Sequence, residues 1–185
     1  MGWGAGIAGK WLELLQETVP RLLTVAVIRN PDNPIDREIA KELEAFAPVR
    51  SLKLTLIEVR NPGALDRAFA QARRRAQAVL VLPDAILSGN RGQVTALAAK
   101  HRMPAIYALR DFVDVGGLMA YAPDYAVQWQ RAAVYVDKIL KGARPGELPV
   151  EQPTQYLLIV NLKTARALGL TIPESILARA DEVIK

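Results

Sequence analysis

The 185-residue chain has no cysteine and one histidine, His101. The first absence excludes disulfides and thiolate chemistry, and it leaves the redox compartment open. The second leaves any histidine-based metal site or nucleophile–base pair to rest on that one residue, and leaves a carboxylate-only enzyme open. His101 itself stands in Lys100-His101-Arg102-Met103-Pro104, a helix-end position beside basic residues that reads as dipole-stabilised surface. No Gly-x-Gly-x-x-Gly follows the first strand, and neither a phosphate loop nor a Gly-x-Ser-x-Gly elbow occurs. Gly4-Ala5-Gly6 precedes a helix but follows no strand, so it reads as no phosphate site. Carboxylates and histidine nowhere cluster at metal-ligand spacing, so neither metal nor cofactor is expected, and binding is favoured over catalysis. Aromatic residues are scarce, at 6%, and are not interleaved with basic ones, which argues against a nucleic-acid surface. No run approaches the ~20 apolar residues that cross a bilayer. The opening Met1 to Lys10 lacks a basic n-region and its apolar stretch is glycine-broken, so it does not read as a signal peptide.

What is present is a well-supplied core. Apolar residues make up 51% of the chain and charged residues 23%, normal for a globular domain. The formal charge of +5 is spread, and the densest basic run, Arg73-Arg74-Arg75, falls at a predicted helix end where cations suit the macrodipole. Short runs rich in Val, Ile and Leu (Leu23 to Ile28, Leu52 to Val59, Ala78 to Leu82, Ala105 to Tyr107, Leu157 to Val160) predict strands. The first and third are nearly continuous, as for parallel strands covered on both faces. Between them, residues 35–47, 64–76, 90–101 and 125–141 carry helical stripes, the last through Trp129, Ala133, Val136 and Leu140. Asn33-Pro34, Asn61-Pro62-Gly63 and Pro83-Asp84 are helix-start signals, and Gly142 with Pro145 marks a stop. A further helix starts at Pro173 and is expected to run to the C-terminus. The alternation predicts an α/β fold, an open parallel sheet with helices on both faces.

Ligands of such sheets bind outside the carboxyl ends of the strands. There lie Arg29-Asn30-Pro31-Asp32-Asn33, Arg60-Asn61, Pro83-Asp84 and Arg110-Asp111. Asn and Asp also serve turns and N-caps, so each residue has a structural reading beside the functional one. Gly116 and Gly117, between a short helix and a strand, read either as a hinge or as a plain turn.

Several stretches then carry a resemblance. They are Val81-Leu82-Pro83-Asp84, Pro104-Ala105-Ile106-Tyr107, Gly116-Gly117-Leu118-Met119-Ala120-Tyr121, residues 131–142, Leu148 to Thr154, and Asn161 to Ala165 with Leu168-Gly169-Leu170. In this order the chain resembles the ABC transporter substrate-binding family that includes the tryptophan and tyrosine uptake binding proteins. The resemblance implies a periplasmic-binding-protein type I (flavodoxin-like) lobe, a ligand closed between two lobes by hinge motion, and delivery to an ABC permease. It divides the chain into residues 1–122, the second lobe; 123–150, a helix and linker that belong to the first lobe; and 151–185, a crossover strand with C-terminal helices. Family chains begin with an export signal and a full first lobe. Here Ala8 to Leu15 resembles the helix just after the first crossover, which implies a truncated chain with half of the cleft absent. Another departure is Ala47-Pro48-Val49-Arg50-Ser51, where the family usually carries a longer helix end and a glycine.

The expected function is binding of a small solute such as an amino acid. Candidate contacts are Asn30, Asp32, Asn33, Asp84, Arg110, Asp111 and Tyr121, with Gly116 and Gly117 as hinge. A carboxylate, Asp84 or Asp111, would meet an ammonium group, and amides or an arginine would meet a carboxylate. The resemblance implies a periplasmic location, whereas the chain as written carries no export address and would stay cytoplasmic. Surfaces left open by truncation suit a homodimer. The rival expectations are a small flavodoxin-like nucleotide-binding or enzyme domain and a regulatory effector domain.

Overall fold

A computed structural model describes residues 6–151, 153 and 155–185. Met1 to Ala5, which include part of the Gly4-Ala5-Gly6 stretch, and Gln152 and Thr154 of the quoted family stretch lie outside the described residues. Among the described residues seven strands form one sheet in the order β2-β1-β3-β4-β5-β6-β7. The strands are β1 (Thr24–Arg29), β2 (Lys53–Glu58), β3 (Ala78–Val81), β4 (Ala105–Tyr107), β5 (Met119–Pro123), β6 (Tyr156–Asn161) and β7 (Glu182–Ile184). Every neighbouring pair is parallel except β5 with β6, which run antiparallel.

The helices are α1 (Ile7–Thr18), α2 (Pro34–Val49), α3 (Leu65–Arg75), α4 (Ala85–Gly89), α5 (Arg91–Lys100), α6 (Asp111–Asp114), α7 (Tyr125–Leu140), α8 (Leu162–Leu168) and α9 (Glu174–Leu177), and all but α7 cover the two faces of the sheet. Alternate strand residues feed two cores. Val25, Val27, Leu80 and Ile106 pack with α1, α2 and α9, while Ala26, Ile28, Val79 and Val81 pack with α3, α5 and α6. The central strands β1 and β3 are apolar in succession because both their faces are covered. The edge strand β2 instead exposes Lys53 and Glu58, charges that discourage further pairing. Trp11 of α1 is fully buried, and its indole N–H donates to the Tyr121 carbonyl at 2.8 Å, pinning α1 to β5.

The C-terminus corrects the sequence reading. The helix that starts after Pro173 stops at Leu177, and Glu182–Ile184 form β7 beside β6. Asp181 exchanges bonds with Leu158, its N–H donating to the carbonyl at 2.9 Å and its carboxylate accepting the Leu158 N–H at 2.7 Å. The open edge of β6 therefore decides the conformation of these last residues over their helical pattern. Arg179, just past α9, reaches Glu13 and Glu17 of α1 at 3.3 and 2.5 Å. Glu13 also receives Lys10 and Arg50, and the Lys10 hydrogen bond leads in holding its carboxyl below the usual range.

The expected burial of the 125–141 stripe is also corrected. No residue of α7 is buried, and Trp129 and Leu140 are 74% and 81% exposed. α7 leaves the sheet after Pro123, and the chain returns at Tyr156. The apolar period is that of a packed helix, but the described residues supply no sheet face for it.

Two helix ends close alike. After α6, the Gly117 N–H donates to the Phe112 carbonyl at 2.8 Å and the Gly116 N–H to Val113 at 3.0 Å, a Schellman closure with Gly116 at φ 101°. After α2, the Leu52 N–H donates to Ala47 and the Ser51 N–H to Pro48, at 2.9 and 3.0 Å, with Ser51 at φ 56°. A serine thus stands where a left-handed residue is needed and glycine is favoured. Gly117 is required for space, since a Cβ there would lie 2.6 Å from the Tyr107 ring and 2.7 Å from the Phe112 carbonyl. Ser51→Gly should stabilise the fold by about 0.5–1 kcal/mol and Gly117→Ala should destabilise it by about 1–3 kcal/mol in urea unfolding.

Candidate functional site

β1 and β3 are neighbours in parallel register, Ile28 opposite Val81, so the loops that follow them emerge side by side. The first loop, Asn30 to Asn33, ends in an N-cap. The Asn33 side-chain oxygen accepts the Ile35 N–H at 3.2 Å, and Pro34 opens α2 with its φ already fixed. The Asn30 side-chain oxygen accepts the Asp32 N–H at 3.1 Å, which turns the chain. The second loop ends in Asp84, which caps α4 by accepting the Ile86 and Leu87 N–H groups at 2.8 and 3.3 Å through Oδ1.

The two loops are joined through the other carboxylate oxygen. Asp84 Oδ2 accepts the amide N–H of Asn30 at 3.1 Å and that of Asn33 at 3.2 Å, and Asn33 also donates to the Pro83 carbonyl at 3.0 Å. A carboxylate has about four lone-pair sites, and here all are used. Such charge-assisted bonds are roughly twice as strong as neutral ones. Asn30 and Asp84 are both buried. Close by, Arg29 ends β1 and pairs with the buried Asp36 of α2. Burial leads in raising the Asp36 carboxyl above its ordinary value, against the pull of Arg29.

Beside this rim lies a cavity of about 270 Å³. Asn33, Asp84 and Ser88 form one side; Leu109, from the end of β4, and Tyr125 and Gln128, from α7, form another. Burial leads in raising the Tyr125 hydroxyl, and the charge of Asp111 adds to it, so Asp111 is felt in the cavity without lining it. Gln128 places an amide nitrogen out of solvent with no hydrogen-bond partner. A second, larger groove of about 480 Å³ runs between α7 and the return segment, past Arg131, Tyr135, Ile139 and Val150.

Of the sequence candidates, the structure brings Asn30, Asn33 and Asp84 together. Asp32 faces outward and pairs with Arg60, which also holds Glu58 at 3.1 Å. Arg110 is taken by Glu182 of β7 at 2.6 and 3.1 Å and by Asp114 at 3.4 Å. Tyr121 is half-buried and stacks on Tyr156, ring centres 5.4 Å apart. Gly116 and Gly117 form the packed turn described above. Leu109, Tyr125 and Gln128 are absent from the sequence reading. The signal for Tyr125 was available: β5 runs parallel to β4, so Asp124-Tyr125 follows a strand end at the same rim. Among the described residues no group of His, Cys, Asp or Glu is placed to hold a metal ion, and no helix is long and apolar enough to cross a membrane.

An open α/β sheet with its polar cluster and cavity at the carboxyl ends of the strands defines a lobe of the type I periplasmic-binding-protein fold. The family model for ABC transporter substrate binding proteins matches residues 6–184, and the chain belongs to that family. A tyrosine-binding protein of Clostridioides difficile is 20% identical over 161 residues, 87% of this chain and 47% of the relative. A conserved domain protein of Vibrio cholerae superposes with a TM-score of 0.89 at 25% identity, over 95% of this chain and 60% of its own. An ABC domain from Streptococcus pneumonia, solved in complex with L-Trp, gives a TM-score of 0.89 at 24% identity, over 96% and 60%. The chain thus spans about half to three-fifths of the relatives it matches.

Replacing Asp84 by Ala strands four N–H donors at once, two of them on the backbone of a helix start. The fold should lose about 3 kcal/mol or more in chemical denaturation, and Asp84→Ser should recover part of this by restoring the cap.

Proposed function

We propose that this chain supplies one wall, and part of the facing wall, of the amino-acid cleft of an ABC uptake system's solute-binding protein. The carrying observation is the cavity at the rim, with the Asp84 carboxylate on one side and Leu109, Pro123 and Tyr125 around it. The Asp84 carboxylate, which accepts four N–H groups, attracts an ammonium group, with Asp111 adding to the field. The ligand's side chain lies on the apolar residues, and Asn33 contacts it while Asn30 positions Asp84. The family membership supports transfer of the bound solute to an ABC permease and a periplasmic setting, and it supports binding rather than catalysis.

In this reading residues 7–123 and 156–184 are one lobe, and α7 with its return segment belongs to the other. β5 and β6 are the connections, held by the Pro123–Tyr156 pairing and by the Asp124 N–H on the Gln155 carbonyl at 3.0 Å. Motion between the walls pivots at this two-strand neck. Pairing of two copies through the uncovered face of α7 is a second reading of that surface, and a sedimentation mass of one copy contradicts it.

A ligand that binds only the native state at a hundred times its Kd stabilises it by about 2.7 kcal/mol, or roughly 5–11 °C in melting midpoint for a chain of this size. In a thermal-shift panel an amino acid should raise the midpoint by several degrees while AMP and FMN leave it unmoved. A shift with a nucleotide and none with any amino acid contradicts the reading.

A further inference from the structure

We infer that Gln128 selects the ligand by requiring a hydrogen-bond acceptor on it, an assignment that rests on the cleft reading above. The Gln128 side-chain nitrogen is closed off from solvent and has no partner. Buried amide donors are nearly always paired in native proteins, so an orphan at a cavity wall marks a place where something else supplies the acceptor. Gln128 lines the rim cavity and also the groove along α7, so it stands where the two meet.

The Asp84, Asn33 and Ser88 side chains of the cavity are committed. Asp84 accepts four N–H donors, the Asn33 amide donates to Asp84 and to the Pro83 carbonyl, and the Ser88 hydroxyl donates to the Ala85 carbonyl at 3.4 Å. The cavity therefore makes two demands of different kinds. Asp84 supplies a negative field without a free lone pair, and Gln128 supplies a donor without a partner. A zwitterion with its ammonium toward Asp84 and a carboxylate oxygen on Gln128 meets both. A plain amine meets only the first, and it leaves the amide as unpaired as in the empty protein. An acid without an amine meets only the second and is repelled by Asp84.

The test uses the whole 185-residue chain and a matched pair of probes, L-tryptophan and tryptamine, which differ only in the carboxylate. Calorimetry should show a preference for the amino acid of at least about tenfold, the scale of one hydrogen bond to a charged acceptor. Gln128→Leu should weaken L-tryptophan by about tenfold or more and leave tryptamine within about twofold, so the ratio collapses. Gln128→Glu, an acceptor in place of a donor, should turn the preference toward tryptamine. Ligand-free Gln128→Leu should also melt no lower than the parent, because the amide it removes is unpaired. A preference that survives Gln128→Leu, or a lowered melting point for that ligand-free variant, overturns the assignment and leaves the cleft reading standing. Failure of the parent chain to bind any amino acid overturns both.

Discussion

Four N–H groups, from the Asn30 and Asn33 side chains and the Ile86 and Leu87 backbone, converge on the Asp84 carboxylate, and the geometry of the rim depends on that convergence. The parallel register of β1 and β3 brings the two loops within reach, but register alone does not fix loops. Asp84 does so by belonging to both: it caps α4 and it receives amides from the loop that caps α2. Two helix starts and two strand ends thereby share one acceptor, and the groups of the proposed cleft are placed by the same bonds that hold the fold. Arg29 and Asp36 add a buried ion pair at the end of β1 whose net worth to stability is small, since desolvation offsets attraction. Its consequence is geometric, because it ties the end of β1 to the first turn of α2.

The sheet body and α7 stand in contrast. Core residues such as Val27, Leu80 and Ile106 are fully buried, whereas the apolar stripe of α7 is open. Only the β5–β6 neck joins the two parts covalently. A neck of two strands, one leaving and one returning, permits rotation without breaking either sheet-side core, as the proposed cleft requires. Tyr125 and Gln128 lie just beyond the neck, so small rotations there move them relative to Asp84.

The central sheet was legible because its signals are local. The runs through β1 and β3 are apolar in succession, and Asn33-Pro34 and Pro83-Asp84 are start signals that the structure uses as such. The position of Asn30, Asn33 and Asp84 at the strand carboxyl ends was legible from the same punctuation, and the structure joins them there by hydrogen bonds. The fate of Arg110 was not legible, because Glu182 is 72 residues away and lies in a segment whose helical pattern gives way to an open strand edge. The stripe of α7 was legible as a stripe but not as an exposed one, because periodicity states which face is apolar and not whether anything covers it. Gln128 carries no local signal: its place is visible only through the cavity to which loops after three different strands contribute.

The most direct test of the account is to map a bound amino acid onto the chain by nuclear magnetic resonance. On titration with L-tryptophan, the side-chain amides of Asn33 and Gln128 and the backbone amides of residues 84–88 should shift together and saturate with one dissociation constant. Shifts confined to the groove along α7 and the return segment, with the Asp84 rim unmoved, would contradict it.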